Sequence, residues 1–148
     1  MTTTEFSMTK VNTRNLWLCA LGGLVGGVPF GIMMAMMGMM PMIGMLIRQE
    51  NATVGFIVHM GISAVVGALY GHFAPAFQTW KSAAIAGVAY GVIWWVLGAL
   101  ILMPLMLGMT HMVFVIGQTQ WMSLMGHIVY AVITALVFLW LYKRGKMS

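Results

Sequence analysis

Long apolar runs separated by short polar breaks dominate the chain. Met1 to Asn15 is polar, carrying Glu5, Lys10 and Arg14, and gives way to an apolar run from Leu16 to Ile47. That run is far too long for the apolar core of a signal peptide and predicts a retained transmembrane helix. At about 1.5 Å per residue it exceeds a hydrocarbon core of about 30 Å, so the helix must tilt, emerge or break at Pro29 or Pro41, with Pro41 the favoured place. Arg48, Gln49, Glu50 and Asn51 make a polar turn. A second helix is expected from about Thr53 to Ala76, ended by Pro75, and a third from about Ser82 to Met109. Thr110 to Gln120 reads as a loop or short interfacial segment, and Trp121 to Tyr142 as a fourth helix stopped by Lys143, Arg144 and Lys146.

Composition turns this pattern into a class. Of 148 residues 61% are hydrophobic and 6% charged, more apolar surface than a water-soluble domain of this size can hide. At about 20 apolar residues per crossing, four spans use nearly the whole chain, which excludes an extramembrane catalytic or nucleic-acid-binding domain. Residues 1–148 are expected to form a single all-α transmembrane domain with short tails. The net charge of +5 is read as topology rather than as affinity for nucleic acid. With four spans, Lys10, Arg14, Lys81, Lys143, Arg144 and Lys146 fall on one side and Arg48 alone on the other. The positive-inside rule then places both termini in the cytoplasm, in a membrane expected to be a prokaryotic cytoplasmic membrane.

The two halves resemble one another. Met40-Pro41-Met42-Ile43-Gly44-Met45 returns as Met103-Pro104-Leu105-Met106-Leu107-Gly108-Met109, and the segment from His59 to Tyr70 matches that from His127 to Phe138. Two tandem two-helix repeats, about 16–77 and about 80–142, are therefore expected. Because each has two spans, a pseudo-twofold axis should run along the membrane normal. Gly55-Phe56-Ile57-Val58-His59, Trp94-Trp95 with Met103-Pro104, and Ser123-Leu124-Met125-Gly126-His127 also resemble a family of small prokaryotic four-helix membrane proteins of uncharacterised function. The likeness covers roughly residues 20–140. It implies a fold with Met/Pro-rich odd helices and His-bearing even helices, and brings no activity with it.

Gly22 with Gly26, Gly23 with Gly27, Gly27 with Gly31, Gly67 with Gly71 and Gly87 with Gly91 place small residues one turn apart, where helix backbones can approach closely. Intramolecular packing is the favoured use. The fourth helix has no such pair and is the most aliphatic, so it is expected to face lipid or another subunit. Trp17, Trp80, Trp121 and Trp140 read as interfacial anchors. Of Trp94 and Trp95, nearer mid-membrane, one should pack inward and the other meet a lipid, pigment or partner.

Candidate chemistry gathers on the side away from the termini. Fifteen of the 18 methionines fall there, from Met33 to Met45 in the first helix and at Met60, Met103, Met106, Met109, Met112, Met122 and Met125. His59 and His127 share that depth, and His111 lies in the loop. Thioethers with imidazole are Cu(I) ligands, which makes His59, His127, Met36, Met40, Met103 and Met106 candidate metal ligands and the two histidines candidate haem ligands. Methionine also fills irregular gaps and suits adaptable surfaces, and each histidine has a serine one turn away, so packing and interhelical hydrogen bonds are the favoured explanation and no cofactor is expected. His72 should lie at the interface. No Asp or Glu occurs within a span, and there is no P-loop, dinucleotide fingerprint or CxxC, which disfavours a carboxylate relay, a Ser/His triad and intramembrane catalysis generally. The resulting expectation is a non-enzymatic polytopic subunit that stabilises or assembles with a larger membrane complex through its Met-rich first helix and aliphatic fourth helix. Cu(I) or haem binding is the alternative, and a small-solute channel the third.

Overall fold

The computed structural model describes residues 12–147, and these are helical with no strand among them. Helix α1 runs Thr13–Met36, α2 Met40–Gly44, α3 Ala52–Tyr70, α4 Trp80–Trp94, α5 Met103–Met106 and α6 Gln118–Met147. A π-helical stretch, Trp95–Leu102, joins α4 to α5 in one continuous rod. Four units, Thr13–Met36, Ala52–Tyr70, Trp80–Met106 and Gln118–Lys146, are long and apolar enough to cross a membrane. This is the architecture of an integral membrane protein. Lys10 and Glu5 lie outside the described residues.

Polar side chains start the helices where the sequence offers them. Asn12 accepts from the Arg14 N–H at 3.0 Å and Asn51 from the Val54 N–H at 3.1 Å, while Thr79 and Ser82 form a reciprocal capping box on α4. The first apolar run does break, but at Gly38 rather than Pro41. Gly38 has φ +70°, its N–H bonds the Ala35 carbonyl and the Met39 N–H bonds that of Met34, a Schellman stop. Pro41 then stands in the first turn of α2, where its missing N–H costs nothing, and Pro29 stays inside α1. The same stop recurs at Gly108, φ +72°, with Gly108 bonding Leu105 and Met109 bonding Pro104. In consequence Met40-Pro41 opens a separate short helix, whereas Met103-Pro104 continues a membrane-length one. The second span ends sooner than expected, at Tyr70, and Pro75 lies in a short 3-10 turn beyond it.

Helix α1 packs on α3 and α6, and α6 packs on α4, giving the spatial order α3, α1, α6, α4. The glycine faces explain this order. A Cβ on Gly22 or Gly26 would stand 2.7 or 2.5 Å from the carbonyl oxygens of Thr134 and Tyr130 in α6. On the adjoining face of α1, Gly23 and Gly27 meet Ser63 and Gly67 of α3, while Gly71 meets Asn15 and Leu16. Gly87 and Gly91 meet Val132 and His127 of α6 in the same way. The expectation for the fourth helix is thereby corrected. α6 has no GxxxG because only one partner in a close pair need be small, and Tyr130, Ala131, Thr134, Ala135, Phe138 and Leu139 bury it between α1 and α4.

Trp17, Trp80, Trp121 and Trp140 are exposed near helix ends, as anchors should be. Lys143 lies over the Trp80 ring at 5.3 Å and Arg144 over Trp140 at 4.2 Å. His72 is exposed just past α3.

Candidate functional site

Helices α3 and α4 close the circle only in the half nearer the tails, where the Tyr90 hydroxyl donates to the Val66 carbonyl at 2.6 Å and the Tyr70 and Tyr90 rings lie 5.0 Å apart. Beyond that bond, toward the methionine-rich end, they diverge around a cavity of about 600 Å³. Its walls come from every span: Phe30 and Met34 of α1, His59 and Ser63 of α3, Trp94, Gly98 and Met103 of the α4–α5 rod, and Ser123, His127 and Tyr130 of α6. Met39, Met42, Met109 and Met112 line it from the connecting segments.

The π-helical stretch shapes one wall. Widening the turn places Gly98, which has no side chain, opposite His127, whose Nε2 is the nearest heavy atom to a Cβ built there, at 3.9 Å. Pro104 has no N–H for the carbonyl of Leu100, and the Phe114 N–H takes that carbonyl at 3.1 Å. The Trp95 indole N–H donates to the Gln120 carbonyl at 2.8 Å, and the Trp95 and Trp121 rings stack 5.9 Å apart. These contacts fold the α5–α6 connection and the first turn of α6 back over the end of the cavity. Trp95 is thus the tryptophan that packs inward, while Trp94 is half-buried on the cavity wall.

The two histidines share this region but not one bond pattern. His59 is buried and its Nε2 lies 2.9 Å from the Gly27 carbonyl, an interhelical bond in which the ring N–H donates. The Nδ1 of His127 lies 2.8 Å from the Ser123 carbonyl of its own helix, with Ser123 Oγ at 3.3 Å. A carbonyl only accepts, so the proton sits on His59 Nε2 and on His127 Nδ1, leaving a lone pair on the other nitrogen of each ring. Phe30 packs edge-on against both imidazoles, with centroids 5.2 Å from His59 and 4.7 Å from His127. Wedged against both rings, it disfavours the short nitrogen-to-nitrogen separation that a shared iron or copper requires.

The candidate methionines separate. Met103 lines the cavity, and Met106 lies on its rim with most of its side chain exposed. Met40 is buried beneath α2 against α3, apart from the cavity lining. Met36 is 83% exposed and turned away. Met36 and Met40, although four residues apart, do not share a helix face, because the Gly38 stop ends α1 between them. Sequence reasoning counted Met34 among the outward methionines without singling it out, and passed over Gly98 and the bond from Tyr90 to the Val66 carbonyl. Gly98 in an otherwise apolar run, six residues before Pro104, was the available signal for a disturbed helix. Among the described residues no three of His, Cys, Asp and Glu gather, so the cavity's donors are neutral nitrogen, oxygen and thioether atoms. No protein-family model, curated protein or solved structure matches the chain.

Proposed function

We propose that the protein is a non-enzymatic membrane component that acts by binding, with its site in the cavity between α3 and the α4–α5 rod. One observation carries this reading: an otherwise closely packed bundle leaves about 600 Å³ open on one flank and directs histidine, serine and methionine groups into it. Interiors are normally filled to crystal-like density, and an unfilled space with a few convergent polar groups is the usual form of a small-ligand site. The lining has no acid or base other than histidine, so a neutral or soft ligand entering from the bilayer fits better than a charged solute crossing it. The Lys and Arg asymmetry supports a reading with both tails on the cytoplasmic side, in a membrane read as a prokaryotic cytoplasmic membrane, and the two hairpins are read as related copies.

A second reading, an accessory subunit of a larger membrane complex, is favoured by the rim of the same opening. Ile62 and Val65 on α3 and Leu102, Leu105 and Met106 on the rod are exposed large apolar residues, a face that a partner's transmembrane helix could cover. Purification in mild detergent followed by native mass spectrometry separates the two. A small ligand that is retained by the wild type and lost in Gly98→Leu, whose side chain would grow into the cavity, supports binding. Stoichiometric membrane proteins with no small ligand would replace that reading with the second.

A further inference from the structure

We propose that the cavity holds one soft monovalent metal ion of the Cu(I) class, bound by Nε2 of His127 and the thioethers of Met103 and Met34. This rests on the cavity being a binding site and adds what it binds. His127 is oriented as a metal-binding histidine usually is: its Nδ1–H is fixed on the Ser123 carbonyl at 2.8 Å, so Nε2 carries the lone pair. That nitrogen has no hydrogen-bond partner among the described residues, and it faces the gap left by Gly98.

The methionines reach the same gap by helix geometry. The Met103 N–H bonds the Gly98 carbonyl, five residues back, so Met103 sits one π-turn beyond Gly98 on the same face. Helical side chains lean toward the N-terminus, which carries the Met103 thioether back over Gly98 and toward His127. In α1, Met34 stands four residues after Phe30, whose ring touches His127, and leans back over it for the same reason. Met34, Met103 and Phe30 belong to one apolar cluster and line one cavity. His59 also keeps a lone pair, on Nδ1, with its Nε2–H on the Gly27 carbonyl, but Phe30 packs edge-on against both rings and His127 alone is assigned to the ligand set.

The chemistry selects the ion. A divalent cation in an apolar enclosure without a carboxylate or thiolate keeps its full charge, which is costly to desolvate. A soft monocation needs only neutral donors, and imidazole with thioether suits it. A haem shared by the two histidines is disfavoured, because Phe30 packs edge-on against both rings.

The test uses the full chain, tag removed, in detergent, with Ag(I) as the redox-inert probe held against a competing chelator. The wild type should retain one Ag(I) per chain. His127→Gln and the shape-conserving Met103→Leu and Met34→Leu should each weaken retention at least about tenfold, while Met36→Leu, on an 83% exposed side chain, should not change it. Melting temperatures close to wild type for the leucine variants would show that the loss is not unfolding. Retention unchanged in His127→Gln or Met103→Leu, or no Ag(I) retained by the wild type, overturns the metal. A small ligand still lost in Gly98→Leu would then leave the cavity reading standing without it.

Discussion

The Tyr90 hydroxyl donates to the carbonyl of Val66 at 2.6 Å, and this one bond ties α4 to α3 where the two helices otherwise diverge. Val66 lies in α3, where its carbonyl also serves the helix ladder, so Tyr90 uses the second lone pair. The bond forms the floor of the cavity. Tyr90→Phe keeps the ring against Tyr70 and removes only the hydroxyl. Stability should fall by about 0.5–1.5 kcal/mol, the range of interhelical hydrogen bonds in lipid. Thermal melting in detergent reads this directly, and an unchanged midpoint would mean that the floor is held by ring packing alone.

The glycine faces give a sharper contrast. Gly26→Ala puts a Cβ 2.5 Å from the Tyr130 carbonyl, a backbone atom that cannot yield without moving α6. Gly61→Ala meets nothing within 4 Å. The first should cost about 1–3 kcal/mol as an overpacked contact, and the second should be neutral or slightly stabilising, since alanine favours helix over glycine by about 1 kcal/mol. Equal melting temperatures for the two variants would contradict the α1–α6 packing.

Most of this packing was legible as pattern. Overlapping glycine pairs from Gly22 to Gly31 announced that α1 needs two close neighbours, and α3 and α6 are those neighbours. Their absence from α6 misled, because glycine on one helix is enough and the partner supplies its backbone. The break near Pro41 was legible to within a few residues, but proline is tolerated in a first turn and the stop belongs to Gly38 in left-handed conformation. The histidines were visible as residues, the packing of Phe30 against both rings was not, since nothing in a linear spacing says which side chain a neighbouring helix sets against them. The cavity depends on a missing contact between α3 and the rod, and the absence of packing has no signature in one sequence.

His59 and His127 should differ on removal. His59→Ala breaks a bond between α3 and the Gly27 carbonyl of α1 and leaves a hole beside Phe30. His127→Ala loses a bond within one helix, beside a space already open. The loss should therefore be about 1–2 kcal/mol for His59→Ala and under about 1 kcal/mol for His127→Ala. Chemical or thermal unfolding that ranks them the other way would mean that His127 carries the structural contact.

Orientation can be read by labelling. Cys19 is fully buried, so the native thiol should stay silent to an impermeant maleimide. A cysteine at Asn51, exposed at the methionine-rich end, should react from outside intact cells, and one at Ser148 only after the membrane is opened. The reverse result would move the cavity's nearer end to the cytoplasmic face.

The α5–α6 connection and the first turn of α6 are held to the rod at two points, and they can be separated. Trp95→Phe keeps a ring to stack on Trp121 but removes the indole donor to Gln120, whereas the Phe114 N–H to Leu100 bond is backbone and survives. Phe114 itself sits at φ +58°, a left-handed conformation that an unbranched aromatic residue adopts only when its surroundings hold it there. Releasing Gln120 should let the connection and the first turn of α6 open more often while the rest of α6 stays folded. Amide hydrogen exchange should then rise about tenfold at residues 114–120, and stay at wild-type values in 125–140, where the bonds are those of the buried α6. Exchange that rises through α6 as well would show that Trp95 supports the bundle and not the connection. Unchanged exchange in both would place the hold on the Leu100 carbonyl that Pro104 leaves free.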